Sequence, residues 1–289
     1  MPTSYDLRLA SHAKINLGLS VLRKRKDGYH DIQTIFQEIA FHDTLYFRKR
    51  SGAFSLTTDT ADLPTGDDNL VFQAVRLLKK HTGCPGTVAI HIEKRIPLGA
   101  GLGGGSSNAA ATLTGLNRLF QLGLSQQRLA CLGAELGSDV AFFLYGGTAL
   151  GTGRGEQIHL LPNFPDAWIV LINPGIHVSS AWAYKNINLK LTNSQSIFSV
   201  SRQFKTGDIT EISFERLENG FEEPVMERYP IIRSIKAQLY EHGAEWALMS
   251  GSGSTVFGIF RKEDIAEEAL RHIERTNWLG VVTRIHHRE

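Results

Sequence analysis

Three short stretches carry residues whose types and spacing could act on a phosphate. In PLGAGLGGGSSNAA, residues 97–110, glycines stand at 99, 101, 103, 104 and 105, followed by Ser106, Ser107 and Asn108. Backbone without side chains lets successive N–H groups converge on an anion, and a helix starting there adds its positive end. Lys14 and Asn16 stand two residues apart in AKINLGL, and Asp139 is the acid in LGSDV. Phosphoryl transfer needs such a set: an aligned acceptor hydroxyl, a base for its proton and positive charge on the equatorial oxygens.

Each feature also has a plainer reading. The glycine run contains a formal G-x-G-x-x-G at Gly99, Gly101 and Gly104, but KRIPL separates it from its strand. The acid that a dinucleotide fold needs about 20 residues later is missing, since Glu135 is the first acidic residue after Glu93. A Walker loop needs Gly-Lys-Ser/Thr, and here Gly105 precedes Ser106 and Ser107 with no lysine. A nucleophile elbow is only approximated by Gly105 to Ala109. What stays open is a phosphate-holding loop or a serine-capped hinge. Asp139 reads equally as a base or as the N-cap of VAFFL, and Lys14 reads as an exposed lysine on an edge strand.

These residues need elements to hold them. From Leu7 to Val21 the chain alternates, with His12, Lys14 and Asn16 on one face and Ala13, Ile15 and Leu17 on the other, the pattern of a strand with one buried face. Asp27-Gly28 predicts a hairpin into the return strand IQTIFQEIAF, with Tyr29 and His30 just past the turn. DDNLVFQAVRLLKKHTG reads as a complete helix stopped by Gly83; TVAIHIEKRIP is a strand, the glycine run opens the helix NAAATLTGLNRLFQL, and SQQRLACLGAELG is a helix with a serine N-cap. The pattern restarts with the strand AWIVLI, after which KLTNSQS reads as a loop. Then come a helix ending at Gly243, the strands EWALMS and TVFGIF about a GSGS turn, the helix EDIAEEALRHIER and the strand GVVTRI. This predicts an α+β chain of two domains, residues 1–162 and 163–289, with the boundary near Pro162.

Composition narrows the class. The 289 residues are 42% hydrophobic and 21% charged, which suits a globular protein and not a disordered one. A net charge of +2 gives no general nucleic-acid or membrane footprint, although Lys24, Arg25 and Lys26, and Lys94 with Arg95, form local basic spots. Cys84 and Cys131 have neither metal spacing nor a disulfide framework, and MPTSYDLRLA lacks the layout of a signal peptide, so a cytoplasmic protein without a membrane anchor is expected. His286 and His287 read as surface rather than as a metal site.

Taken in order, AKINLGL, DGYHDIQTIFQ, DDNLV, PLGAGLGGGSSNAA, LGSDVAFFLYGGTALGTGRGE, PGIHVSSAWAY and MSGSGSTVFG resemble the galactokinase, homoserine kinase, mevalonate kinase and phosphomevalonate kinase (GHMP) superfamily. GYH and VSSAWAY are similar to the branch whose alcohol substrate carries a cytidine diphosphate. Two departures stand out: Ala141 where a proline usually follows DV, and Ser180 where a threonine is common. The resemblance implies a two-domain GHMP kinase fold, N-terminal ribosomal protein S5 domain 2-like and C-terminal ferredoxin-like. It implies ATP with Mg²⁺, few or no direct protein ligands to the metal, and a small-molecule substrate on a monomer or homodimer.

Residue by residue, the resemblance makes Asp139 the base and Lys14 the cation that offsets charge on the transferring group. Asn16 would orient the acceptor alcohol, Tyr29 and Tyr184 would sandwich the cytosine and His30 would read its edge, with Phe36 a further wall and Ser180 in the same site. For ATP it implies Pro97, Gly99, Ala100, Gly101, Leu102, Gly103, Gly104, Gly105, Ser106, Ser107 and Asn108 around the phosphates, with Asn69, Leu70 and Lys94 near adenine. Ser250 to Thr255 would be a second glycine turn shaping the cleft. Two other readings remain: a GHMP kinase for an alcohol without a base, such as homoserine or a mevalonate, and a non-catalytic nucleotide-binding module.

Overall fold

The computed structural model describes residues 4–84, 86–187, 197, 200, 201, 217–273 and 277–288. The expected KLTNSQS loop lies outside them. Packing divides the chain into two compact units: Met1–Ala13, Phe41–Leu98 and Gly103–Tyr145 form the first, and Lys14–Ala40, Gly99–Leu102 and Gly146–Glu289 the second. The expected boundary near Pro162 falls inside the second unit. The physical reason is strand length: β1 (Leu7–Lys24) and β2 (His30–Arg50) are 18 and 21 residues long, so each contributes to two cores.

In the first unit, the later part of β2 pairs antiparallel with β4 (Thr87–Glu93), and β3 (Ser55–Thr58) pairs parallel with β4. β4 alternates as a strand with one buried face must, with Val88, Ile90 and Ile92 inside. Against these strands pack α1 (Leu70–Thr82), α2 (Gly104–Leu119), α3 (Gln126–Leu136) and α4 (Val140–Tyr145), in a core that includes Phe47, Leu78, Leu113, Leu132 and Val140. The small residues of α2 allow close approach: a Cβ on Gly115 would lie 2.6 Å from the Phe47 ring. Ser125 caps α3 as expected, accepting from Arg128 N, and Gly83 ends α1 at φ 64°, while the N-cap of α1 is Asn69, accepting from Val71 N.

In the second unit, the first part of β2 pairs with β5 (Thr148–Thr152), and β5 with β6 (Gln157–Leu160). A second sheet has the order β10 (Leu279–Arg284), β7 (Trp168–Asn173), β9 (Val256–Phe260), β8 (Trp246–Met249), all antiparallel. In chain order these four strands stand 4-1-3-2, the split βαβ arrangement of the expected ferredoxin-like layer. The helices are α5 (Ser180–Asn186), α6 (Glu222–Arg228), α7 (Pro230–Glu241) and α8 (Glu263–His272). Ile232, Ile235 and Leu239 of α7 and Ala266 and Ala269 of α8 share a core with Val170, Ile172, Val256 and Phe260.

Two local expectations are corrected. β1 does not have one buried face: Lys14 and Asn16 are 3% and 1% exposed, while Ala13, Ile15 and Leu17 are fully buried. The alternation in the sequence reflects a polar and an apolar buried face, because Lys14 and Asn16 spend their hydrogen bonds inside. The glycine loop is also shorter than the string of glycines, since α2 starts at Gly104 and takes Ser106 and Ser107 into its first turn.

Candidate active site

Within the second unit, the loop from Gly99 to Leu102 is laid against β1. Lys14 N donates to Leu102 O at 3.0 Å, and Lys14 Nζ donates to Gly101 O at 2.7 Å and to Asn16 Oδ1 at 2.6 Å. Asn16 Nδ2 donates to Thr34 Oγ1 at 2.7 Å, and Thr34 passes its own proton to Gly18 O at 2.7 Å. A buried ammonium is therefore pinned to a carbonyl of the glycine loop, with its orientation relayed from β2. The Lys14 ammonium lies 5.8 Å from the centroid of the Phe36 ring, which is 1% exposed and therefore a core side chain beside the lysine.

The loop needs its glycines. Gly99, Gly101 and Gly103 all have left-handed φ, at 61°, 77° and 71°, where other residues are strained. A Cβ on Gly101 would lie 2.1 Å from Ser250 O, and one on Gly99 would lie 2.3 Å from His177 Nδ1. Ala100 and Leu102, between them, are buried, which alternately anchors the loop and bares its backbone. The second glycine turn closes on it: Ser250 Oγ donates to Gly101 O at 2.9 Å and Thr255 N to Ala100 O at 3.3 Å. Asn219 holds that turn, Nδ2 donating to Met249 O at 2.6 Å and Gly251 O at 2.7 Å.

The aromatic group is also in the second unit. His30 stacks on Tyr184, centroids 4.9 Å apart and planes within 14°, and the edge of Tyr184 meets Phe221. Tyr29 is 56% exposed, with the Arg154 guanidinium 4.8 Å from its ring centroid. Burial, helped by Lys24, lowers the His30 pKa. A neutral imidazole offers one donor and one acceptor, suited to a base edge. Ser180 Oγ lies 3.0 Å from Ser252 Oγ, while the cap of α5 is the neighbouring Ser179. The basic spot at 24–26 is partly neutralised, since Arg25 pairs with Asp27 and Asp31 at 2.9 Å each.

Asp139 belongs to the first unit. It is half-buried, directly precedes α4, and its carbonyl accepts from Phe143 N at 3.4 Å. Around the start of α2, Ser11 Oγ lies 2.7 Å from both Ser107 Oγ and Asn108 Oδ1. Asn69 spends its side chain on structure, capping α1 through Oδ1 and donating through Nδ2 to Pro64 O at 2.6 Å. Leu70 starts α1, 3.8 Å from where a Gly105 Cβ would stand. Lys94 is not a surface basic spot: its side chain is 5% exposed and its Nζ lies 2.9 Å from Asp43 Oδ2. That ammonium sits beside Gly104, 3.3 Å from where a Cβ there would stand, at the start of α2.

Sequence reasoning missed Thr34, Asp43, Arg154 and Asn219. Asp43 left a signal, an aspartate inside the apolar run of a strand; the others resemble ordinary polar residues until their partners are known. Among the described residues no three His, Cys, Asp or Glu side chains gather to hold a metal, and no helix is long and apolar enough to cross a membrane.

Residues 69–147 match the GHMP kinases N terminal domain and residues 202–278 the GHMP kinases C terminal. The chain is 44% identical over 263 residues to a 4-diphosphocytidyl-2-C-methyl-D-erythritol kinase of Syntrophus aciditrophicus (strain SB), covering 91% of this chain and 93% of that one. It is 42% identical over 256 residues to the kinase of that name in Enterococcus faecalis (strain ATCC 700802 / V583), covering 88% and 90%. A crystal structure of 4-(cytidine 5'-diphospho)-2C-methyl-D-erythritol kinase superposes with a TM-score of 0.80 at 31% identity, over 96% of this chain and 99% of that one. A homoserine kinase from Cytophaga hutchinsonii ATCC 33406 shares the fold, with a TM-score of 0.76 at 18% identity over 99% and 96%. A buried lysine tied to a glycine loop ahead of a helix, joined to likeness over nearly the whole chain, makes this a small-molecule kinase that belongs to the GHMP kinases and, among them, to the 4-diphosphocytidyl-2-C-methyl-D-erythritol kinase family.

Proposed function

We propose that this kinase transfers the γ-phosphoryl group of ATP to the 2-hydroxyl of 4-diphosphocytidyl-2-C-methyl-D-erythritol, giving the 2-phosphate and ADP in the non-mevalonate isoprenoid pathway. The observation that carries it is the Lys14 ammonium, 2.7 Å from Gly101 O and 2.6 Å from Asn16 Oδ1. A cation fixed in advance at a phosphate loop stabilises charge on a transferring group without reorganising when the reaction occurs. The identity of 39–44% to kinases of that name supports the choice of alcohol.

In this reading Asp139 accepts the proton of the hydroxyl as its oxygen attacks phosphorus, and the bond from phosphorus to the β,γ-bridging oxygen breaks to release ADP. Lys14 offsets the charge on the equatorial oxygens, and Asn16, relayed by Thr34, orients the alcohol. Loop backbone from Gly99 to Gly105 and the first turn of α2, with Ser106, Ser107 and Asn108, hold the nucleotide phosphates. Tyr184 and His30 present a flat face and Tyr29 a second one for the cytosine, with His30 also offering ring nitrogens to its edge.

For a Mg²⁺ carried by the nucleotide, the first turn of α2 has the half-buried hydroxyl of Ser106 to offer, since Ser107 is buried against Ser11. Such an ion would neutralise charge on the phosphate oxygens. We place the reaction in the cytoplasm, on a monomer or homodimer. Purified protein with Mg-ATP and 4-diphosphocytidyl-2-C-methyl-D-erythritol should release ADP in proportion to alcohol consumed, and cytidine nucleotides should compete with the alcohol. No ADP release with that alcohol, or turnover of homoserine or mevalonate untouched by cytidine nucleotides, would reject this reading.

A further inference from the structure

Asp43, on β2 and completely buried, lies at the centre of a polar cluster in the first unit. Its Oδ1 accepts from Arg95 N at 2.7 Å and Ile96 N at 2.8 Å. Its Oδ2 receives Asn108 Nδ2 at 3.1 Å and lies 2.9 Å from Lys94 Nζ, which also donates to Ile96 O. One carboxylate thus joins the end of β4, the segment leading to the glycine loop, and the first turns of α2. The Lys94 ammonium is held beside Gly104, the first residue of α2, with room for no more than a glycine between: a Cβ there would lie 3.0 Å from Ile96 Cγ2.

We propose that Asp43 is a positioning residue for the nucleotide: it holds the Lys94 ammonium at the first turn of α2, where the cation and the helix N-terminus act together on the phosphates of ATP. The proposal rests on the reading of this chain as an ATP-dependent kinase, and it concerns the Lys94 ammonium alone. Burial lowers the Lys94 pKa, and the charge of Asp43 is the first influence that opposes it, followed by its hydrogen bond and by Asp59, whose Oδ1 accepts from Lys94 N at 2.9 Å. Flanking Glu93 and Arg95 pair with each other at 2.9 Å and so largely offset each other at Lys94. Without Asp43, the buried amine loses the charge that keeps it protonated.

Asp43→Asn keeps an acceptor for the Arg95 and Ile96 amides while removing the charge. The test is equilibrium binding of Mg-ATP, by titration calorimetry without the alcohol, to the full-length protein between pH 6.5 and 9.5. Both proteins should lose affinity as Lys94 discharges, but Asp43→Asn at a lower pH, so that its deficit relative to wild type grows by about tenfold or more across the range before wild type follows. Lys94→Gln should weaken binding by about tenfold at every pH, and adding Asp43→Asn to it should restore no pH trend.

A purely structural Asp43 predicts instead the same loss for Asp43→Asn at every pH, or a loss that persists unchanged on the Lys94→Gln background; either result overturns the proposal. If Asp43→Asn does not fold by circular dichroism, Lys94→Gln decides, measured at a temperature where circular dichroism shows it folded: weakened nucleotide binding supports the proposal, and unchanged binding overturns it. Wild type that binds Mg-ATP but releases no ADP with the alcohol rejects the substrate reading and leaves this one standing.

Discussion

Glu38 gives a prediction whose size follows from its surroundings. It lies on β2, 8% exposed, with Oε2 accepting from Gly147 N at 2.9 Å, and a Cβ on Gly146 would lie 2.6 Å from that oxygen. Burial pushes its carboxyl from the ordinary 4.5 up to about 7, and the Gly147 N–H opposes this only in part. The sign follows from proton counting. Between pH 4.5 and about 7 the folded chain keeps a proton that the unfolded chain has lost, so stability falls as pH rises through that window and levels off above it. The shift corresponds to about 3 kcal/mol between the two protonation states, as an upper estimate. Glu38→Gln keeps the volume and an acceptor for Gly147 N but cannot ionise. The variant should match wild type near pH 5 and exceed it at pH 8 by about 2 to 3 kcal/mol, or a Tm higher by about 5 °C or more. Melts followed by circular dichroism at several pH values from 5 to 8 measure this. A variant whose Tm runs parallel to wild type across that range would refute the assignment of the buried proton to Glu38.

Asp139→Asn should lower kcat by about 10²-fold or more while Mg-ATP binding stays near wild type; a kcat within a few-fold of wild type would remove Asp139 from the role of base. Gly101→Ala puts a Cβ 2.1 Å from Ser250 O at a φ of 77°, so the loop must shift away from Ser250. Its KM for ATP should rise by about tenfold or more, by about 1.4 kcal/mol or more of lost binding, measured by ADP release; an unchanged KM would show that the loop geometry is not what holds the phosphates. Tyr184→Ala removes the ring stacked on His30 and should raise the KM for the cytidine-bearing alcohol by about tenfold with a much smaller effect on the KM for ATP. Equal effects on both would argue against base stacking at this ring.

The sequence by itself determined the local elements and the kinds of residue at the site. Val88, Ile90 and Ile92 alternate as β4 does, Asp27-Gly28 marks the turn between β1 and β2, and Asn69 and Gly83 bracket α1, because caps, turns and periodicity are local properties. The order β10-β7-β9-β8 was implied by resemblance, since strand pairing depends on residues far apart in the chain. The glycine run has a local reason as well: left-handed φ at Gly99, Gly101 and Gly103 is a requirement only glycine meets cheaply.

Only the tertiary structure decided which polar residues are buried and what they hold. Alternation alone makes Lys14 an exposed lysine. Its burial becomes tolerable because Gly101 O and Asn16 Oδ1, distant and near in sequence, accept its protons. The same holds for Asp43 and Lys94, whose pairing joins positions 51 residues apart, and for Asn219, which ties the second glycine turn from outside it. The fold likewise sets the stacking of His30 on Tyr184 and of Arg154 on the Tyr29 ring. A sequence lists its donors and acceptors; which of them meet is set by long-range packing, and a buried charge is allowed only where that packing brings its partners.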